Sequence, residues 1–317
     1  MLMTQHQPKL VVITQFPWGL GHQLYSRLRP DPAVISLPGE LMIGRAGQWY
    51  WPNLDALPRH PSIGDADRAF DHLQEAQLLA TKHDAAIDFF LDPQLGLAGA
   101  RARSFLPVSP SQREHYHSFL QGIGKDVLTN GSYVMAYLSS LAMSCELIAS
   151  NSQPTLLLAY LPHLLLHPKS VRRLTADVAD ATLLITVNPP ETSLHQLAAH
   201  SCDGSSLVTH GAELMAHWET ALLHCQALMA GSDLRVALWA SQPAEACDSP
   251  MTGLVPSLGA AHHCEVLDGL ARVLPTAQSV VSPVPRIAPP AELTPALVRC
   301  GTAYSQFIHA AKSAHAA

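Results

Sequence analysis

The sequence LVVITQFPWGLGHQLYSRLRPDPAVISLPGE, residues 10–40, decides the fold. The apolar run at residues 10–13 predicts a buried strand, the Pro- and Gly-rich residues 16–21 predict a turn, and residues 23–28 predict a helix. A second apolar run at residues 33–36 predicts another strand. In a strand–loop–helix unit, the free N–H groups and the dipole at the helix N-terminus both attract an anion. This stretch therefore predicts an anion-binding loop between a buried strand and a helix.

The rest of the chain alternates between helix-sized segments and short apolar runs. Residues 181–187, ATLLITV, form a continuous β-branched run between Asp180 and Asn188, which is typical of a strand buried on both faces of a parallel sheet. Residues 234–239 predict another buried strand. Helices are predicted at residues 65–83, 109–122, 133–148, 169–179, 191–200, 210–230 and 292–311. We therefore predict a single α/β domain over residues 8–312, a three-layer helix–sheet–helix sandwich with a mostly parallel central sheet.

Composition narrows the function classes. The chain has 317 residues, 48% of them hydrophobic, and a net charge of −6, which permits a large core and argues against a nucleic-acid partner. The most apolar region, residues 147–168, is interrupted by prolines and polar residues and is a poor membrane span. The N-terminus has no signal-peptide pattern, and the six cysteines are widely spaced without a CxxC pair. We expect a cytoplasmic protein with reduced thiols and no membrane partner; its oligomeric state is left open.

Several motifs along the chain occur in a recognisable order. Around the first helix stand Leu24-Tyr25, Asp31-Pro32 and Gly39-Glu40. They are followed by TNGSY at residues 129–133, ATLLITVNPPETSLH at residues 181–195, a helix and strand at residues 210–239, and a helix at residues 290–307. This ordered set resembles the P-loop sulfotransferases, in particular their carbohydrate-type branch. The resemblance implies a P-loop NTPase-like sheet and transfer of a sulfuryl group from 3′-phosphoadenosine 5′-phosphosulfate (PAPS) to a hydroxyl or amine of a glycan or small molecule.

The resemblance also implies which residues form the site. Glu40 falls on the catalytic glutamate of the family, and His22 is the second catalytic candidate. The residues expected to contact the sulfuryl donor are Trp18, Gly19, Leu20, Gly21, His22, Gln23, Asn188 and His195. Glu40 would take the acceptor proton, while donors in the loop would stabilise charge on the sulfuryl oxygens. An alternative interpretation of Glu40 is a solvated carboxylate at a strand end.

Most cationic positions of the family motif are replaced in this chain. Trp18 stands where the family has the loop lysine, Val187 where it has an arginine, and Thr129 where it has a second lysine. No lysine occurs between Lys9 and Lys82, so no shift of the alignment restores one to the loop. The resemblance therefore implies a retained scaffold whose charged contacts to the donor have been exchanged.

Two histidines stand at positions that the family uses for other polar contacts. His22 replaces a threonine at the helix N-terminus, where the dipole opposes protonation and a bound anion favours it. It is either a protonated contact to a phosphate or sulfuryl group or a neutral helix cap. His195 replaces a serine and is either a phosphate donor or a surface histidine.

A metal site is not expected from the histidine spacing. His163 and His167 have the H-x-x-x-H spacing, but three leucines separate them and prolines flank the segment. The glutamate of an H-E-x-x-H motif is therefore missing, and no other His, Cys and Asp set has zinc-ligand spacing.

Two further functions remain open at this point. The loss of cationic contacts is compatible with a non-catalytic binding module that keeps the sulfotransferase fold. The stretch VVITQFPWGLGHQL, residues 11–24, also resembles the first strand and P-x-x-G-H turn of two-domain nucleotide-sugar glycosyltransferases, with His22 as the base. Such glycosyltransferases have a second nucleotide-binding signature, and the C-terminal half of this sequence contains none.

Overall fold

The computed structural model describes residues 8–19, 21–28, 31–40, 61–68, 110–122, 129–146, 155–178, 180–200, 204–231, 235–240, 254–256 and 288–316. Their strands form one sheet in the order β2-β3-β1-β4-β5-β6. The strands are β1 (Lys9–Gln15), β2 (Val34–Glu40), β3 (Leu156–Tyr160), β4 (Thr182–Val187), β5 (Arg235–Ala240) and β6 (Leu254–Pro256). β2 pairs with β3 and β4 with β5 in parallel, whereas β6 is antiparallel to β5.

The central strand β1 runs parallel to both of its neighbours. At its start, the amide of Lys9 donates to the carbonyl of Thr155, the residue before β3. Just past its end, the amide of Phe16 donates to the carbonyl of Thr186 near the end of β4. The start of β1 therefore lies beside the start of β3, and the end of β1 lies beside the end of β4. These parallel pairs confirm the predicted α/β class with a mostly parallel sheet. Burial of β4 along its whole length confirms the buried strand predicted at residues 181–187.

Helices fill most of the intervals between the strands. They are α1 (Gly21–Leu28), α2 (Pro110–Gly122), α3 (Asn130–Glu146), α4 (Pro168–Asp177), α5 (Pro190–His200), α6 (Gly204–Gly231) and α7 (Thr294–Ala316), and residues 63–68 are also helical. Short 3-10 turns occupy Leu164–Leu166 and Ala291–Leu293. The helix predicted at residues 210–230 begins earlier, at Gly204, and the one predicted at 292–311 begins at Thr294 after a 3-10 turn. Within the described ranges, no helix is both long enough and apolar enough to cross a membrane.

The chain divides into two compact units. The first comprises Met1–Val12, Leu28–Leu161 and Lys169–Ala181, and the second comprises Ile13–Arg27, Pro162–Pro168 and Thr182–Ala317. The single domain expected over residues 8–312 stays a prediction.

In the first unit, tyrosines from two helices hold the helical residues 63–68. The hydroxyl of Tyr116 donates to the carbonyl of Ala66 at 2.7 Å, and the hydroxyl of Tyr133 donates to the carbonyl of Asp65 at 3.4 Å. The Asp65 carboxylate in turn accepts from the amide and hydroxyl of Ser62, which caps this helix start. The hydrogen bonds from Ser62 lower the pKa of Asp65.

In the second unit, three aromatic rings connect the end of β1 to two helices. The Phe16 ring lies 5.1 Å from the Trp218 ring on α6, and Trp218 lies 6.3 Å from Tyr304 on α7. Phe16 and Trp218 are fully buried. Burial of rings of this size contributes several kcal/mol, so the residue that begins the β1–α1 loop is anchored firmly in the core.

Candidate functional site

The C-terminal ends of β1 and β4 meet within the second unit. From β1 the chain proceeds to β2 on one side of the sheet order, and from β4 it proceeds to β5 on the other side. Adjacent parallel strands whose connections leave in opposite directions form a topological switch point, and ligands of open α/β sheets bind in the crevice there. Residues 16–19 of the loop and the turn after Val187 border this point.

The loop after β1 has an unusual backbone at Trp18. Trp18 has a φ of 51°, the left-handed region that a bulky residue rarely adopts, and its side chain is 39% exposed. The neighbouring Gly19 is buried. A Cβ on Gly19 would lie 2.7 Å from Asn188 Oδ1 and 2.7 Å from the carbonyl oxygen of Phe16, so no side chain fits at this position. The loop therefore packs directly on the end of β4.

The first amide of helix α1 already bonds an oxygen. The N–H of Gly21 donates to Gln15 Oε1 at 2.9 Å. A Cβ on Gly21 would meet that same oxygen at 2.8 Å and Thr186 Oγ1 at 3.1 Å. The Gln15 carboxamide thus occupies the place that an oxygen of an anion takes at a helix N-terminus. The hydrogen bond between Gly21 and Gln15 contributes roughly 1 kcal/mol.

A buried chain of hydrogen bonds connects the β4–α5 turn to the loop. Asn188 Nδ2 donates to Ser193 Oγ at 2.7 Å, and Ser193 Oγ donates to the carbonyl oxygen of Pro17 at 2.8 Å. Nδ2 also donates to the carbonyl of Pro189 at 3.3 Å. Asn188 is 1% exposed and Ser193 is fully buried. We call this chain of bonds from Asn188 through Ser193 to Pro17 the loop relay.

The carbonyl oxygen of the Asn188 side chain is buried without a hydrogen-bond partner among the described residues. This oxygen lies beside Gly19, whose Cα offers only weakly polar hydrogens. An acceptor buried in this way costs roughly 1–3 kcal/mol relative to a satisfied one. Packing and the loop relay therefore stabilise the loop conformation, although the unsatisfied Asn188 oxygen destabilises it.

The structure brings part of the predicted site together. Trp18 and Gly19 lie in the loop after β1, Gly21 begins α1, and Gly19 packs against Asn188. His22 and Gln23 form the first turn of α1, although their side chains lie outside the described part, as does all of Leu20. His195 is partly buried in α5, and Glu40 ends β2 in the first unit with its side chain not described. The roles assigned to Glu40, His22 and His195 stay predictions.

Two residues of the site were not expected from the sequence. Gln15 follows an apolar run and Ser193 lies in a predicted helix, and neither pattern assigns its side chain a role. The sequence offers two signals: a polar residue at the end of an otherwise apolar strand, and a serine shortly after Asn-Pro-Pro. Neither signal shows which group the side chain bonds, because that depends on the fold.

The described residues contain no cluster of three or more His, Cys, Asp or Glu side chains that could hold a metal ion. His163 and His167 flank the 3-10 turn Leu164–Leu166, and both are exposed.

Two thiols of the second unit are buried and unpaired by disulfides. Burial raises the pKa of Cys225, and burial together with the Glu219 carboxylate raises the pKa of Cys300 to about 12. A thiol in the unfolded chain ionises near its ordinary value of 9.0. Above pH 9 the folded state therefore binds more protons than the unfolded state, and the free energy of unfolding falls as pH rises.

We expect this fall to be measurable between pH 9 and pH 10. It should amount to at most about 1.4 kcal/mol per pH unit for each thiol. Urea unfolding of the wild type and of Cys225→Ala at pH 8, 9 and 10 checks it, because the variant should show a shallower slope whatever its absolute stability. Equal slopes of the free energy of unfolding against pH would mean that folding does not raise the pKa of Cys225.

Comparison with known proteins gives structural likeness only at low similarity. No protein-family model matches this chain, and no curated protein matches it. A sulfotransferase domain from the curacin biosynthetic pathway is 12% identical in sequence, with a TM-score of 0.35, over 93% of this chain and 98% of that one.

Proposed function

We propose that this chain is a sulfotransferase-like protein that binds the anionic part of a nucleotide at the ends of β1 and β4. In its full form the proposal is transfer of a sulfuryl group from PAPS to a hydroxyl or amine of a glycan or small molecule. The observation that carries it is the packing of Gly19 on Asn188 at the switch point of a parallel sheet. This is the location where α/β sheets bind ligands, and its loop leads into a helix N-terminus.

The residues of the loop fit an anionic oxygen. The amide of Gly21 donates to an oxygen from outside the helix, namely Gln15 Oε1. A phosphate or sulfuryl oxygen would replace a neutral carbonyl by a charged acceptor, and charge-assisted hydrogen bonds are about twice as strong as neutral ones. In the proposed transfer, Glu40 would take the proton of the acceptor, as the family resemblance implies.

The same contact also supports the second candidate, a non-catalytic binding module. Gln15 supplies from within the chain the bond that a ligand would make, and the loop sequence contains no lysine to attract an anion to that place. A loop stabilised in this way needs no ligand to keep its shape. The two candidates differ in whether an anionic nucleotide displaces Gln15.

Thermal unfolding with added nucleotides separates the candidates. Adenosine 3′,5′-bisphosphate at one hundred times its dissociation constant should stabilise the folded chain by about 2.7 kcal/mol, which raises the melting temperature by roughly 5 °C. Adenosine 5′-monophosphate, which lacks the 3′-phosphate, is the matched control and should give a smaller shift. A shift with uridine diphosphate alone would favour the glycosyltransferase interpretation, and no shift with any nucleotide would favour the non-catalytic module.

A further inference from the structure

The Ser193 hydroxyl bonds both the loop after β1 and the turn after β4. It carries one proton, and that proton must point at the Pro17 carbonyl, because a carbonyl can only accept. Its oxygen is then an acceptor toward Asn188, which must therefore present its NH2 group. The second NH2 proton points at the Pro189 carbonyl.

These proton positions fix the orientation of the Asn188 amide. Both protons of Nδ2 are directed at acceptors, so Oδ1 must face the other way, toward Gly19. The hydroxyl of Ser193 thus decides which atom of Asn188 faces the loop. The same hydroxyl also fixes the carbonyl of Pro17, the residue before Trp18 with its left-handed backbone.

We propose that Ser193 is a positioning residue for the β1–α1 loop. It holds the Pro17 carbonyl and orients the Asn188 amide, and in this way it sets the affinity of the loop for its ligand. The ligand part rests on the proposed function, whereas the conformational part is a property of the free chain. Because Oδ1 is buried against Gly19 and both Nδ2 protons are used, Asn188 acts on a ligand through the loop and not by direct contact.

The conformational part is tested without any ligand. We would label the full chain with 5-fluorotryptophan and assign the fluorine resonance of Trp18 through Trp18→Phe. In Ser193→Ala the Trp18 resonance should move toward its position in the urea-unfolded chain, while those of Trp218 and Trp239 stay in place. Ser193→Thr keeps the hydroxyl and should restore the wild-type resonance. Ser140→Ala, which removes a buried hydroxyl from α3, is the matched control and should leave Trp18 unchanged.

The orientation of Asn188 is tested on the wild type, so that the result does not depend on a variant that folds. With nitrogen-15 asparagine, the Nδ2 protons of Asn188 should exchange with solvent much more slowly than those of an exposed asparagine. Rapid exchange would overturn the proposal, as would a Trp18 resonance that does not move in Ser193→Ala.

The ligand part is tested with two probes, inorganic sulfate and adenosine 3′,5′-bisphosphate. Removal of one buried hydrogen bond should weaken binding to Ser193→Ala roughly tenfold, with recovery in Ser193→Thr. A moved Trp18 resonance with unchanged affinity would overturn the positioning role. If the wild type binds neither probe, the proposed function fails, and the fluorine and exchange results alone decide whether Ser193 positions the loop.

Discussion

Asn188→Asp is expected to destabilise the chain by about 4 kcal/mol at pH 7 and much less at pH 4.5. The substitution keeps the shape of the side chain but replaces the NH2 group that donates to Ser193 and Pro189. A carboxylate there would be buried, would face two acceptors and would have no cation described beside it. Burial without a partner raises the pKa of a carboxyl group, so the folded variant should hold the new carboxyl group protonated.

The direction of this pH dependence follows from the proton counts of the two states. The folded variant keeps the proton, while the unfolded chain loses it above its ordinary pKa near 3.9. Stability is therefore present below that pKa and is lost as pH rises. Over the three units between pH 4 and pH 7 the loss reaches about 4 kcal/mol, at 1.36 kcal/mol per unit.

Urea unfolding at pH 4.5 and pH 7.5 measures this difference. Gln306→Glu adds the same charge on the exposed side of α7 and should show little change at either pH. Suppose that Asn188→Asp loses the same free energy of unfolding at both pH values. Protonation of the new carboxyl group would then not stabilise the folded variant, and the NH2 group of Asn188 would not be a donor in the loop relay. This result would also remove the basis for the orientation of Oδ1.

The elements of the site could be predicted because their signals are local. The β1–loop–α1 unit follows from an apolar run, a Pro- and Gly-rich turn and a helical stretch within residues 10–28. β4 follows from a β-branched run between Asp180 and Asn188. Each signal depends only on neighbouring residues, so the fold class and the location of the loop were accessible from the sequence.

β3 was missed because its pattern is ambiguous. The strand Leu156–Tyr160 is buried on both faces and lies inside the long apolar region at residues 147–168. A strand of this kind has no alternation of polar and apolar residues, so periodicity cannot distinguish it from a buried helix. The strand pairs with β2 and lies between β2 and β1, and this placement becomes visible only in the assembled sheet.

The roles of Gln15 and Ser193 depend on contacts that sequence patterns do not encode. Ser193 donates to Pro17 across 176 positions of the chain. Gln15 bonds the amide of Gly21 across the turn, so a residue assigned to the strand caps the helix. The sequence shows the glycines of the loop, but it does not show that Gly19 faces Asn188 and that Gly21 faces Gln15.

Three neutral side chains, those of Gln15, Asn188 and Ser193, make hydrogen bonds in and beside this loop. The sulfotransferase motif that the sequence resembles has a lysine at the position of Trp18 and an arginine at the position of Val187. Neutral hydrogen bonds contribute about 1 kcal/mol each, against roughly 1.5–3 kcal/mol for bonds to charged groups. A sulfuryl donor bound here would therefore depend on backbone amides and the helix dipole for a larger share of its affinity. That affinity would be sensitive to the position of the loop backbone.

Gly19→Ala is therefore expected to disrupt both the fold of the loop and its binding. The new methyl group would lie 2.7 Å from Asn188 Oδ1 and 2.7 Å from the backbone oxygen of Phe16, and Phe16 is anchored against Trp218. Because a backbone atom and a buried side chain must both shift, we expect a loss of about 2–3 kcal/mol in the free energy of unfolding and a roughly hundredfold loss of affinity for adenosine 3′,5′-bisphosphate.

The control for Gly19→Ala is Gly64→Ala, which adds a methyl group to an exposed helical position whose nearest neighbour, Ser62 Oγ, is 3.6 Å away. It should stabilise the chain by up to about 1 kcal/mol through helix propensity. A double-mutant cycle then locates the clash: in an Asn188→Ala background, the cost of Gly19→Ala should fall by about 1 kcal/mol, because one of its two obstacles is gone. Strict additivity, or a Gly19→Ala variant as stable as the wild type, would mean that the loop does not rest on Asn188. The switch point would then lack the contact on which the proposed nucleotide site depends.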